Sequence, residues 1–182
     1  PVSPLGSDGP ASPAGKWGAA RRAGLSTRRR SSAARRQSSS AATEDMNITI
    51  ANFVMAVNAG YAEKSLVPYH NFAHAVDVAV TLHHLFRKVH AAYFLSRHER
   101  LALMASALAH DIGHLGFTND FLINTLDEVA LRYNDSSPME SMHCAKLFEI
   151  VSKPGTGIFG SMEPSIQREV RRVCVEAILH TD

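Results

Sequence analysis

The sequence predicts an all-α, multi-helical fold. Apolar residues recur at three- and four-residue spacing from residue 47 onward, the period of a helix face. Two segments open on Ser-x-x-Glu, Ser96 to Glu99 and Ser137 to Glu140, the spacing of a helix-start capping box. No segment alternates polar and apolar residues for long enough to make a strand.

Residues 1–43 stand apart from that pattern. They carry Lys16, Arg21, Arg22, Arg28, Arg29, Arg30, Arg35 and Arg36 against one acid, Asp8, a net +7, whereas residues 44–182 carry a net −5. Ser, Ala, Gly and Pro dominate the segment, and too little apolar surface is present to offset the entropy of ordering it. It reads as a disordered basic arm. Its Arg- and Ser-rich, acid-poor composition is also that of an organelle transit peptide. Its charge suits anionic lipid or nucleic acid, although nothing in it specifies nucleic-acid binding, and membrane association stays open.

The helices follow in order. Residues 46–61 form a short helix ending near Gly60, a residue type common after a helix C-terminus. Beyond the breaker Pro68, Phe72, Ala75, Val76, Ala79, Val80, Leu82, Phe86 and Val89 predict one long helix over 71–94. Ser96 and Glu99 cap a buried helix through Leu101–Ala109. Ser137, Pro138 and Glu140 open another over 139–151, with proline at the first helical position. Residues 155–160 break the pattern, and Ile166, Val170, Val173, Cys174 and Ala177 form one face of a last helix.

Composition bounds the function. At 182 residues and 19.8 kDa the chain is one domain's worth of sequence, and 45% hydrophobic with 20% charged residues excludes collagen-like and wholly disordered classes. No apolar run approaches the roughly 18 residues of a membrane-spanning helix. Cys144 and Cys174 are too few for a disulfide framework and read as small core residues, so a reducing, cytoplasmic setting is expected. The chain starts at Pro1 and stops at Asp182 directly after an amphipathic run; it is expected to be a fragment at both ends.

The histidines carry the chemistry. Ten are present. His70 and His74 are four apart, one helical turn, and His110 and His114 repeat the spacing with Asp111 between them. Neutral imidazoles and a carboxylate are the ligands zinc and similar divalent metals take, so two such pairs on neighbouring helices are expected to converge on one metal site. Asp111 follows an apolar run, and burying its charge without a partner is costly. His83, His84, His90 and His98 have no partner at ligand spacing and are expected on solvated faces. Arg171 and Arg172 are expected there too, and Asp77 reads as structural.

Tyr69-His70-Asn71-x-x-His74-Ala75-x-Asp77-Val78, His110-Asp111-x-x-His114-x-Gly116-x-x-Asn119, Phe121-Leu122-Ile123-Asn124 and Tyr133-Asn134-Asp135 together resemble the catalytic domain of class I 3′,5′-cyclic-nucleotide phosphodiesterases, within the histidine-aspartate metal-dependent phosphohydrolase superfamily. The resemblance runs from Tyr69 to Asp182 and covers the N-terminal part of such a domain. It implies hydrolysis of cyclic AMP or cyclic GMP to the 5′-monophosphate by a metal-bridging hydroxide, in cyclic-nucleotide signal transduction. It implies His74, His110 and Asp111 as ligands of zinc, with Asp111 also reaching a second metal, magnesium, for which manganese is an alternative. It implies His70 as the general acid; His114, Glu140 and Thr181 as residues that orient water at the second metal; and Tyr69 and Asn119 as lining the nucleotide pocket. A homodimer is left open.

Four positions depart from the family pattern. Gly113 replaces an acidic residue, Leu115 a proline and Met142 a histidine, while His180 stands where small or apolar residues are commoner. The family's fourth zinc ligand, an aspartate, and its purine-gripping glutamine fall beyond residue 182. Two other readings compete: a truncated, non-catalytic metal- or nucleotide-binding module, and a more general phosphohydrolase of the same superfamily. Tyr133-Asn134-Asp135 also reads as a plain turn.

Overall fold

Seven α-helices and one 3-10 turn, with no strand, make up residues 42–182, the part of the chain that the computed structural model describes. The chain divides into two units, Pro1–Asp45 and Met46–Asp182. The basic arm expected over 1–43 falls almost wholly outside the described residues.

The first helix, α1, runs over 42–59 among the described residues and buries Phe53 and Val57. It stops at Gly60, whose N–H bonds the Val57 carbonyl at 2.9 Å. A Cβ at Gly60 would lie 2.6 Å from Ile112 Cδ1, so this turn packs directly on the chain beside Asp111. Helix α2 spans Phe72–Lys88. Its start is fixed by the buried Asn71: Oδ1 accepts from the Ala73 and His74 amides at 3.0 and 3.4 Å, while Nδ2 donates to the Pro68 and Val67 carbonyls at 2.8 and 3.3 Å. One side chain therefore both caps the helix and ties down the bend that precedes it.

The single helix expected over 71–94 is cut short. Val89 closes α2, His90 takes a left-handed conformation (φ 50°), and Ala91–Tyr93 forms a 3-10 turn. The turn buries Ala91 and leaves Tyr93 and Phe94 outside, so burial and not periodicity decides where the helix stops. Helix α3, Arg97–Ala109, begins as the sequence predicts: Ser96 Oγ accepts from Glu99 N at 3.1 Å and Glu99 Oε2 from Ser96 N at 2.7 Å. Those bonds hold the Glu99 carboxyl below its ordinary range. Ser96→Ala is expected to destabilise the fold by about 1 kcal/mol in urea denaturation, and an unchanged midpoint would contradict the cap's role.

Two short helices were not apparent from periodicity: α4, Asn119–Asn124, capped by Thr118, and α5, Glu128–Arg132, capped by Asp127. With the next helix they enclose a small cluster of Leu122, Ala130, Met139 and Met142. Tyr133 ends α5, and Asn134 and Asp135 are both left-handed, a turn conformation suited to their residue types.

Helix α6, Pro138–Val151, has proline in its first turn as expected, but no capping box. Ser137 is left-handed (φ 39°) and makes no cap bond; its Oγ donates to Asp182 Oδ2 at 2.7 Å. The Met139 amide is satisfied instead by Asn119 Oδ1 at 3.1 Å, and Glu140 accepts from Asn119 Nδ2. Helix α7, Pro164–Leu179, buries Val170, Cys174 and Ile178. Arg171 and Arg172 lie outside, Arg171 over the Phe148 ring at 4.1 Å and Arg172 bonded to Glu176 at 2.9 Å. Cys144 and Cys174 are buried free thiols.

The main core joins α1, α3, α6 and α7 around Phe53, Val57, Ile112, Leu147, Val170 and Ile178. Ala102, Ala105 and Ala109 give α3 a flat face, and Cys174 Sγ of α7 lies 3.6 Å from the Ala102 carbonyl. None of the described helices is long and apolar enough to cross a membrane.

Candidate active site

Helix α3 ends where the chemistry begins. His110 is its C-cap, Asp111 starts the following turn, and His74 faces them from the first turn of α2. Asp111 Oδ2 lies 3.1 Å from His110 Nε2 and 3.6 Å from His74 Nε2, and one ligand atom from each residue lies within 4.8 Å of the others.

The donor set fits a metal. His110 Nδ1 is 3.0 Å from the Ala107 carbonyl; a carbonyl only accepts, so Nδ1 carries the hydrogen and the neutral ring presents a bare Nε2 to Asp111. Asp111 Oδ2 is buried and has no hydrogen-bond partner. A buried carboxylate oxygen facing imidazole lone pairs needs a cation, either a proton on the ring or a metal. Burial pushes the His110 pKa down, but the facing Asp111 outweighs it and holds the ring above its ordinary range. Burial likewise pushes Asp111 up, and His110 outweighs it and holds the carboxyl low. His74 is pushed down, by burial first and then by His110.

Tyr61 supports this pair and was not apparent from the sequence, because no spacing links it to the histidines. Its hydroxyl donates to the Leu108 carbonyl at 3.0 Å and accepts from the Asp111 amide at 3.3 Å. Burial pushes its phenol pKa far up, so it stays a neutral donor beside a carboxylate.

Neither histidine pair shares a helix face, contrary to the reading from spacing. His70 lies in the bend before the N-cap Asn71, and His114 lies beyond the turn that follows α3. The bend and the turn bring these two rings together: His70 and His114 stack with centroids 4.0 Å apart and planes 10° from parallel. His114 Nδ1 accepts from Gly116 N at 2.9 Å, which leaves the hydrogen of the neutral ring on Nε2. His143, on α6, continues the row at 5.9 Å from His114. It is wholly buried, with Nδ1 on the Ile112 carbonyl at 2.8 Å, and burial pushes its pKa down to about 4.

Gly113 closes the turn at φ 75°, and a Cβ there would lie 2.6 Å from Lys146 Cε. The Lys146 stem thus fills the space of the side chain that the family pattern has at this position. Nothing in the structure explains His180, whose Nδ1 lies 2.7 Å from the Glu176 carbonyl.

Two clefts meet at His70 and Thr181. One, about 420 Å³, is lined by His74, His110 and Asp111; the other, about 410 Å³, by His114, Asn119 and Glu140. In the second, Asn119 Nδ2 donates to Glu140 Oε2 at 2.9 Å and to Asp182 Oδ1 at 3.0 Å. The Thr181 hydroxyl donates to the Ile178 carbonyl at 2.7 Å. Tyr69 lines neither cleft; it is exposed, with its ring 4.6 Å from that of His74. His83, His84 and His90 are exposed as expected, as is Asp77, which was read only as structural, whereas His98 is half-buried and accepts from Arg97 Nε at 3.2 Å.

The model of the 3′5′-cyclic nucleotide phosphodiesterase family matches residues 69–182. The chain belongs to this family. It is 35% identical over 135 residues to the mouse high affinity cGMP-specific 3′,5′-cyclic phosphodiesterase 9A, covering 74% of this chain and 25% of the mouse protein. It is 35% identical over 131 residues to the 3′,5′-cyclic-AMP phosphodiesterase 4 of Dictyostelium discoideum, covering 72% of this chain and 12% of that protein. The crystal structure of the phosphodiesterase domain of a RhoPDE fusion protein from the choanoflagellate Salpingoeca rosetta superposes with a TM-score of 0.71 at 35% identity, covering 76% of this chain and 44% of that one. The phosphodiesterase-family chain thus spans under half of that solved domain and a quarter or less of these curated relatives, and both are similar to it in the region that carries His70, His74, His110 and Asp111.

Proposed function

We propose that this chain provides the metal-binding and proton-donating part of a site that hydrolyses 3′,5′-cyclic nucleotides to 5′-monophosphates. The observation that carries the proposal is Asp111 Oδ2, buried without a hydrogen bond between the Nε2 atoms of His74 and His110. Those three residues would hold zinc, and Asp111 with His114, Glu140 and Thr181 would serve a second, harder ion, magnesium or manganese. Such ions, when bound, lower the pKa of water towards about 7 and offset charge on phosphoryl oxygens.

The remaining work falls to the chain itself. His70 stands outside the three-residue cluster but on the rim of both clefts, so it can protonate the departing 3′ oxygen without binding metal, a task suited to imidazole near neutral pH. The His114 ring packed flat against it restricts its rotation. Asn119 lines the second cleft, where a nucleotide would lie, while Tyr69 touches the site only through its ring contact with His74. Relatives named for cyclic GMP and for cyclic AMP stand at equal identity, so the proposal covers both bases.

The test is release of 5′-AMP or 5′-GMP with and without EDTA, repeated on His70→Ala. Chelator-sensitive turnover is expected, falling by about 10²- to 10⁴-fold in the variant with zinc content unchanged. Loss of zinc from the variant would make His70 a ligand, and zinc uptake without turnover would favour the binding-module reading. Turnover that survives the chelator would overturn the proposal.

A further inference from the structure

The corner between α2 and α3 presents an exposed apolar pair flanked along the chain by cations. Ala91 is 1% exposed and anchors the 3-10 turn, while the neighbouring Tyr93 and Phe94 are 89% and 64% exposed. Leu85 and Val89, also exposed, extend the patch along the last turn of α2. Isolated exposed apolar residues are ordinary; adjacent ones held out by a buried anchor mark a contact surface. The tip projects from a corner, and neither aromatic lines the clefts described above.

Charge around the tip has one sign. Residues 78–98 contain no acid. Arg87 and Lys88 lie in the last turn of α2 and Arg100 in α3 just beyond the turn, and none of the three closes an ion pair among the described residues, whereas Arg97 lines a separate cleft with Glu163. Arg100 Nη1 instead donates to the Leu95 carbonyl at 3.0 Å, underneath the tip. The next acid along the chain, Glu99, is folded back onto Ser96. We propose that this corner docks on an anionic phospholipid surface, with Tyr93 and Phe94 entering the headgroup layer and Arg87, Lys88 and Arg100 pairing with lipid phosphates and carboxylates. A convex aromatic tip suits a fluid layer that closes around it, and long basic side chains keep their charge at headgroup level while the apolar residues enter.

The test compares the whole chain with its Tyr93→Ser/Phe94→Ser variant, so that the basic segment over 1–43 is common to both. Co-sedimentation is measured with phosphatidylcholine vesicles, plain or carrying about 30% phosphatidylserine. Binding only to the anionic vesicles is expected, weakened about tenfold in the double variant, with the melting curve unchanged and with Leu131→Ser, at another exposed leucine, binding as wild type. Phe94→Trp in a Trp17→Phe background is expected to shift its emission to the blue on vesicle addition, a reading that does not depend on the double variant folding. Equal binding by wild type and double variant, or no emission shift, would overturn the proposal. Loss of RNA binding in the double variant with vesicle binding intact would overturn it in favour of nucleic acid.

Discussion

Asp111→Asn is expected to weaken zinc binding by at least about 100-fold, because it neutralises the only carboxylate in the three-residue cluster. The measurement is competition with a chromophoric chelator. The fold should survive the change: the amide keeps the side chain's volume, and the Asp111 backbone bond to Tyr61 is untouched. The same titration should show affinity rising with pH. His110 binds its proton more tightly than a free imidazole does, because it faces Asp111, so zinc must displace that proton, and less work is needed once the pH exceeds the raised value. In chelator the His110 contribution has the opposite sign. The raised His110 contributes stability that is present below its unfolded pKa and lost as pH rises through its folded one, while the lowered Asp111 contributes stability above its unfolded pKa that is lost in acid. Zinc binding by the variant equal to that of the wild type would move the site elsewhere.

Acidification is expected to cost the metal-free protein up to about 3 kcal/mol through His143 alone. Its folded pKa, about 4, lies below the ordinary 6.5. Between those values the unfolded chain holds a proton that the folded chain lacks, so stability falls as pH drops from 6.5 towards 4, and the His143 contribution levels off below that. His74 and His114, both pushed down by burial, act with the same sign. Urea unfolding across that range in EDTA measures the slope, and His143→Gln should flatten it. An unchanged slope in the variant would assign the acid sensitivity to other groups. A domain's whole stability is commonly about 5–15 kcal/mol, so the effect is a large share of it.

What could be read from the sequence was local. The Ser96 box formed because both partners sit within one turn, whereas the identically spaced Ser137 and Glu140 were drawn away by Asp182, 45 residues along the chain, and by Asn119. The end of α2 depended on burying Ala91, which periodicity cannot express. Residue type and spacing pointed to two histidine pairs beside Asp111, and only the family resemblance singled out His74, His110 and Asp111; the helical geometry of the pairs was not legible, since a bend and a turn place His70 and His114. Tyr61 reaches Asp111 across 50 residues and left no mark in any spacing.

Asn119 has a consequence for ligand entry. Both of its amide hydrogens are committed, one to Glu140 and one to Asp182, and its oxygen accepts from Met139. A nucleotide that takes a hydrogen bond from this amide must therefore displace a carboxylate. If it displaces Asp182, it releases the segment after α7 from the start of α4; if it displaces Glu140, it frees an acid on the rim of the second cleft. Occupancy at Asn119 that displaces Asp182 is thus coupled to the tether of residues 180–182, and quickened amide exchange there would report ligand arrival from a residue the ligand never touches.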